Sequence, residues 1–244
     1  DMETIETELL LADVQSVERR MERLRKHGKG DAGTRALLEG MERLFKHLND
    51  GRPAVGFEIP ANGAWREAWR ELGLLTAKKV VYCANIDEGM LADGADNAAL
   101  QAVREFAAER GAEATSICAK VEEEIQGLEQ QERQELLEAY GLTESGLARV
   151  IRASYRSLGL ISFFTAGEKE VRAWTVRKDA KASQAAGAIH GDFERGFIRA
   201  EVVAHQDYVR LKSEAACRSA GVMRTEGREY VVKDGDVIHF LFNV

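Results

Sequence analysis

Cysteine is scarce and poorly spaced for chemistry. Cys83, Cys118 and Cys217 form no Cys-x-x-Cys pair, which removes the usual zinc-site and dithiol readings. Two of them fall in apolar runs, so the expectation is buried free thiols in a reducing cytoplasm. No apolar run approaches the roughly 20 residues needed to span a bilayer, and no signal-peptide pattern is present; no membrane partner is expected. The histidines His27, His47, His190, His205 and His239 show no metal spacing, so no metal site is nominated. A Gly-x-Ser-x-Gly elbow is missing, and so are the phosphate loop Gly-x-x-x-x-Gly-Lys-Ser/Thr and an Asp-x-x-Gly switch. The one Gly-Lys pair, Gly28-Lys29, runs on into Gly30. No catalytic residue is therefore nominated. The sequence opens on Asp1 rather than Met and reads as a portion of a longer chain.

What is present is charge, unevenly spread. The net charge of −7 is concentrated in residues 76–159, with 9 basic and 15 acidic side chains. Residues 1–75 hold 12 and 14, and residues 160–244 hold 13 and 12. An acidic middle does not attract nucleic acid through its bulk field, so any such contact must come from a local patch. One candidate patch exists: Arg19, Arg20, Arg23, Arg25, Lys26 and Lys29 fall within eleven residues, with Glu22 the only acid among them. It reads either as a solvated helix end whose cations suit the helix dipole or as a contact to the phosphate backbone of RNA. Aromatic residues for base stacking are absent there, which argues against sequence-specific readout.

Hydrophobic spacing divides the chain. Leu10, Val14, Val17, Met21 and Leu24 step by 4, 3, 4 and 3, and Leu37, Met41, Leu44 and Leu48 continue the pattern after a glycine-rich turn at residues 27–33. This predicts an antiparallel coiled-coil hairpin over residues 1–75, with extra packing from Met2, Ile5, Leu9 and Phe45. Trp65 and Trp69, four apart on a short helix, read as packing residues. Over residues 76–159 the run Val80–Ala84 predicts a strand buried on both faces. The polar turn Asn85-Ile86-Asp87-Glu88, an amphipathic helix closed by Gly111, and a second strand over Ala114–Cys118 complete a βαβ unit. Its loops open at the carboxyl ends of parallel strands, where α/β sheets place ligands. Helix is expected from Val121 to Leu147, with Glu122-Glu123-Glu124 on a solvated face, and again from Leu147 to a capping Gly159. From Leu160 the texture becomes α+β: a hairpin around Gly167-Glu168, a helix near Ser183–His190, and strands at Ile198–Ala204, Tyr230–Val232 and Val237–Phe242. The fold class is multidomain, α/β plus α+β. An open parallel edge at Val80–Cys83 makes a homodimer one expectation.

Asn85-x-x-Glu88, followed by Cys118-Ala119-Lys120, resembles the base-recognition pair of a P-loop GTPase-type domain, with Asn-Lys-x-Asp altered to Asn-x-x-Glu. Taken alone, the first motif reads equally well as a polar turn. It is accompanied in order by Glu3-Thr4-Ile5-Glu6-Thr7-Glu8-Leu9, Phe163-Phe164-Thr165-Ala166-Gly167, Glu170-Val171-Arg172-Ala173-Trp174-Thr175, the stretch Phe193 to Glu201, and Asp234-Gly235-Asp236-Val237. The set resembles the YchF or Obg-like ATPase family along essentially the whole chain. That resemblance implies a partial P-loop nucleotide domain at 76–159 and a TGS domain, a ubiquitin-like β-grasp module, at 160–244. It implies Asn85, Ile86, Glu88, Cys118, Ala119 and Lys120 as the base-binding residues. It implies ATP (or GTP) with Mg²⁺ in a full-length parent, a ribosome or large-subunit partner, and a cytoplasmic location. Without the phosphate loop, this chain alone is expected to be inactive and to hold no nucleotide tightly.

Overall fold

The structure, a computed structural model, describes residues 1–27, 32–60, 63–92, 97–167 and 170–243. It resolves into two compact units, Asp1–Val80 and Val81–Val244.

The first unit is built on two long helices, α1 (Met2–His27) and α2 (Ala32–Asn49). All nine residues of the two predicted seams lie in one apolar cluster, in which Val17, Met41, Leu44 and Leu48 are fully buried. Side chains of this size contribute about 1.5–3 kcal/mol each on burial. The additional packing does not come from Ile5, which is 57% exposed. It comes from Phe45, as expected, and from Ala54, Leu74 and α3 (Gly63–Leu72), whose Trp65 is buried. A seam two residues wide leaves one flank of a helix pair open, and the indole ring closes it. Gly40 makes that possible, because a Cβ there would sit 2.1 Å from the Trp65 ring. Phe57 then stacks on Trp69 at 6.2 Å.

A buried carboxylate ties the end of this unit to its beginning. Asp13, 2% exposed, accepts hydrogen bonds from the Leu75 amide (2.7 Å), the Thr76 amide (2.8 Å) and the Thr76 hydroxyl (2.7 Å). The Thr76 hydroxyl in turn accepts from the Ala54 amide at 2.9 Å. Three donors replace the hydration the carboxylate lost.

The second unit opens with β1 (Val81–Asn85) and β2 (Glu113–Ile117), parallel and in register from Val81 opposite Glu113 to Asn85 opposite Ile117. Between them lie α4 (Gly89–Ala92) and α5 (Ala98–Glu109), the latter capped by Asn97 and packed on both strands. The expected burial of β1 on both faces is not found. Cys83 and Asn85 are exposed, because among the described residues β1 pairs only with β2. Cys118 and Cys217 are buried free thiols, and Cys83 is not. The helix expected from Val121 to Leu147 is two, α6 (Ala119–Glu124) and α7 (Gln130–Ala139), and the separately expected helix follows as α8 (Gly146–Leu158). Gly127 and Gly141, with φ of +85° and +70°, make the breaks, a backbone region that costs glycine little. Gly159 closes α8 in the left-handed conformation, as expected.

The rest of the unit is a five-stranded sheet of β3 (Leu160–Ala166), β4 (Val171–Arg177), β5 (Phe197–Ala204), β6 (Arg224–Glu226) and β7 (Asp236–Phe242). The spatial order is β4-β3-β7-β5-β6, with β3 and β7 parallel and the other pairs antiparallel. Alternate residues Phe163, Ala200, Val202, Ile238 and Phe240 face one side and meet Ala182, Ala185 and Ala186 of α9 (Ala182–Ile189). Short helices α10 (Gly191–Arg195), α11 (His205–Leu211) and α12 (Glu214–Ser219) fill the connections. Tyr230–Val232 is not a strand. It makes one isolated bridge, Val231 to Lys181, while Tyr230 donates to the buried Asp236 at 2.8 Å. The expected turn residue Glu168 lies outside the described residues. No helix among the described residues is long and apolar enough to cross a membrane.

Replacing Asp13 by Ala strands two amides and a hydroxyl at a buried junction. The expected loss is about 3 kcal/mol of unfolding free energy, since hydrogen bonds to charged groups are worth roughly 1.5–3 kcal/mol each and are partly recovered by water. Urea unfolding of the variant against the parent chain checks it; a change under about 1 kcal/mol would show the junction to be dispensable.

Candidate base-recognition site

Parallel pairing carries Asn85 and Ile117 to the same edge although 32 residues separate them. The ladder runs one step further, with the Ile86 amide donating to the Ile117 carbonyl at 2.8 Å. Beyond it the two chains diverge into α4 and α6. The Asn85 side-chain oxygen accepts from the Ala119 amide at 3.1 Å, so the two motifs are joined directly. Cys118 is 3% exposed and caps α6 without a side-chain hydrogen bond. Its side chain packs inward with Val121, Ile125 and Leu137, and Ile86 packs against the same cluster. Cys118 thus reaches the site through its backbone, and Ile86 is a half-buried packing side chain.

Glu88 is doubly engaged. Lys120 Nζ lies 2.6 Å from its Oε2, and the Tyr140 hydroxyl lies 3.2 Å from its Oε1. The same hydroxyl is 3.0 Å from Glu124 Oε2. One phenolic hydrogen therefore faces two carboxylates. The hydrogen bond from Lys120 holds the Glu88 carboxyl below its ordinary range, and Glu88 raises Lys120 in return. The Glu124 hydrogen bond, with burial and Glu88 behind it, pushes Tyr140 up to about 12. At neutral pH the cluster is an ionised pair with a neutral phenol.

Tyr140 was not legible as a site residue, and neither was the work done by the neighbouring acids. Glu122 and Glu124 are not simply a solvated face. Glu122 accepts from the Gly146 amide at 2.5 Å and the Leu147 amide at 3.2 Å, an anion at the amino end of α8 where the helix dipole favours it. Arg149 of that helix reaches back to the Ser116 carbonyl at 3.1 Å. A concavity of about 540 Å³ opens on this flank, lined by Ala119, Glu122, Arg133 and Leu147 among others, but by neither Asn85 nor Glu88. Among the described residues no three His, Cys, Asp or Glu side chains converge as metal ligands.

The basic residues at the end of α1 are partly spent on the helix unit itself. Arg20 pairs with Glu71 at 2.8 Å and Arg25 with Glu42 at 2.9 Å, while Arg19 donates to Ser16 at 3.2 Å. Arg23 and Lys26 are exposed, and Lys29 lies outside the described residues. His190 ends α9 and caps α10, accepting from the Asp192 amide at 3.2 Å.

Comparison with known proteins follows the same lines. The family model YchF-GTPase_C, described as a protein of unknown function (DUF933), matches residues 160–243. Over its full length the chain is 46% identical to the "Ribosome-binding ATPase YchF" of Bacillus subtilis and 45% identical to that of Escherichia coli O157:H7. The chain spans 66% of the length of each of these curated relatives. The structure of the Schizosaccharomyces pombe YchF GTPase superposes with a TM-score of 0.73 at 33% identity, covering 99% of this chain and 65% of that one. A GTP-binding protein from Pyrococcus horikoshii shares the fold alone, with a TM-score of 0.52 at 15% identity over 100% of this chain and 71% of its own. Carried by the ordered motifs, the full-length identity and the shared fold, the chain belongs to the YchF family.

Proposed function

We propose that this chain is the carboxyl-terminal portion of a ribosome-associated protein that binds and hydrolyses ATP, and that it supplies the base-reading half of the nucleotide site. The observation that carries the reading is the Asn85–Ala119 hydrogen bond at the carboxyl ends of two parallel strands. Ligands of α/β sheets sit at such edges. In this reading Asn85, Ile86, Glu88, Cys118, Ala119 and Lys120 frame the base, with Ile86 and Cys118 acting through packing and backbone. The phosphate cradle and the Mg²⁺ site belong to sequence outside these 244 residues. Phosphoryl transfer depends on that half, so this chain alone does not turn over nucleotide. The units proposed are a coiled-coil hairpin at 1–75, part of a P-loop nucleotide domain at 76–159, and a TGS domain at 160–244. The last is supported by a five-stranded sheet with α9 packed across one face.

Ribosome binding, and with it a cytoplasmic location, is proposed from the relatives' names. The contact surfaces proposed are the basic end of α1 and the TGS sheet, meeting ribosomal RNA through phosphates. Arg20 and Arg25 also pair with Glu71 and Glu42 within the helix unit, so substituting either would disturb that unit as well as any contact.

Calorimetric titration of ATP and GTP, with Mg²⁺, into this chain and into the full-length protein tests the nucleotide reading. Binding confined to the full-length protein, favouring ATP, and weakened about tenfold or more by Asn85→Ala, where a hydrogen bond to the base is lost, is the expected result; an Asn85→Ala variant with unaltered affinity would remove the motif from the site. For the ribosome reading, Arg19→Glu combined with Arg23→Glu should weaken co-sedimentation with ribosomes and flatten its salt dependence, as expected when phosphate contacts are lost. Unchanged sedimentation across a salt series would sink the α1 contact.

A further inference from the structure

Resting on that base-site reading, we infer that Tyr140 is a positioning residue that sets purine specificity, holding Glu88 with Lys120 in an internally satisfied state that guanine must break and adenine need not.

The argument is an inventory of donors and acceptors. Guanine presents a carbonyl acceptor at position 6 and donors at N1 and the 2-amino group. Adenine has a 6-amino donor, an unprotonated N1 and no 2-amino group. A guanine site therefore needs a carboxylate with both oxygens available and an amide N–H for the 6-carbonyl. Here one Glu88 oxygen is taken by Lys120 at 2.6 Å, and the other shares the single Tyr140 hydroxyl hydrogen with Glu124, at 3.2 and 3.0 Å. The Ala119 amide is taken by Asn85 at 3.1 Å. Three internal contacts thus close the features that would reward guanine. With its oxygen turned to Ala119, Asn85 keeps its NH₂ group as a donor, suited to the N7 acceptor that both purines share. Adenine can use that donor without opening the cluster.

Lys120 alone makes a weak lock, because its side chain is 64% exposed and an exposed ion pair is easily exchanged for water. Tyr140 is the stiffer element. Its ring packs in the apolar cluster with Ile86, Leu136 and Leu142, which holds the hydroxyl between Glu88 and Glu124 with its one hydrogen shared by the two carboxylates. The aromatic ring has two rotatable side-chain bonds, against four for lysine, so it loses less freedom in holding the carboxylate.

The test compares ATP and GTP affinities of the full-length protein with those of Tyr140→Phe, which keeps the ring and removes the hydroxyl. The ATP-to-GTP affinity ratio should fall by about fivefold to tenfold, the scale of one hydrogen bond to a charged group, chiefly through stronger GTP binding. A ratio unchanged within about twofold, or equal weakening of both nucleotides, overturns the inference, the second because it marks a merely structural role. An independent readout needs no nucleotide. In a carboxyl-carbon NMR titration of this chain, Glu88 should titrate at higher pH in Tyr140→Phe than in the parent, since the hydroxyl no longer favours the carboxylate; an unmoved Glu88 rejects the clamp itself. If Glu88 moves but Asn85→Ala leaves both nucleotide affinities intact, the base-site reading has failed and the specificity role falls with it.

Discussion

The parallel ladder between β1 and β2 is the constraint on which the candidate site depends. Parallel strands cannot be joined by a tight turn and need a crossover of a dozen or more residues. Their pairing therefore brings together loops that are remote in sequence. In this chain it sets Asn85 opposite Ile117, which leaves Ala119 one turn of chain beyond, within reach of the Asn85 side chain. A register slip of one residue would turn every side chain of β1 to the other face and separate the two motifs. The strand pair is short, with five residues on each side. Its register is secured from outside, by α5 and α8 against both strands and by Arg149 on the Ser116 carbonyl. The Glu122 cap on α8 closes this frame, because it fixes the start of the helix that carries Arg149.

Much of this was readable from spacing. The two helical seams are local patterns with a period that only a helix satisfies, and all nine residues met in one cluster. The βαβ unit, the capping Gly159 and the strands at 160–166, 171–177, 197–204 and 236–242 follow from runs of a few residues and their punctuation. Other features depended on distance. Tyr140 lies 52 residues from Glu88, and its approach depends on the breaks at Gly127 and Gly141. A periodic acidic stretch hides those breaks, because glutamate and glutamine favour helix on both sides of each glycine. Glu122 looked like one of three equivalent acids, yet it is singled out by the helix start it faces. Cys83 looked buried because its run is apolar; burial on both faces requires neighbouring strands, and among the described residues β1 has one. Tyr230–Val232 has strand-like composition, but its backbone pairs with residues 180–182 in one isolated bridge and not with a strand of the sheet.

Two carboxylates show how environment assigns different roles to the same chemistry. Asp13 is buried and answered by three donors on the segment that ends its unit. Its partners are neutral, two backbone amides and one hydroxyl. Opening that arrangement would leave a charge in a dry site, which is costly however the rest adjusts, so it serves as a permanent fastening. Glu88 stands at a rim, its side chain 31% exposed, with one partner on a long flexible stem and another shared with Glu124. Water can replace the Lys120 contact at modest cost, and salt weakens it. Such a carboxylate is available for exchange with a ligand that offers better donors, and the sum of its present contacts sets the threshold such a ligand must exceed. The discrimination a site of this kind achieves is therefore a difference between two sets of hydrogen bonds, and Tyr140, which touches no base, enters that difference through the set that must be broken.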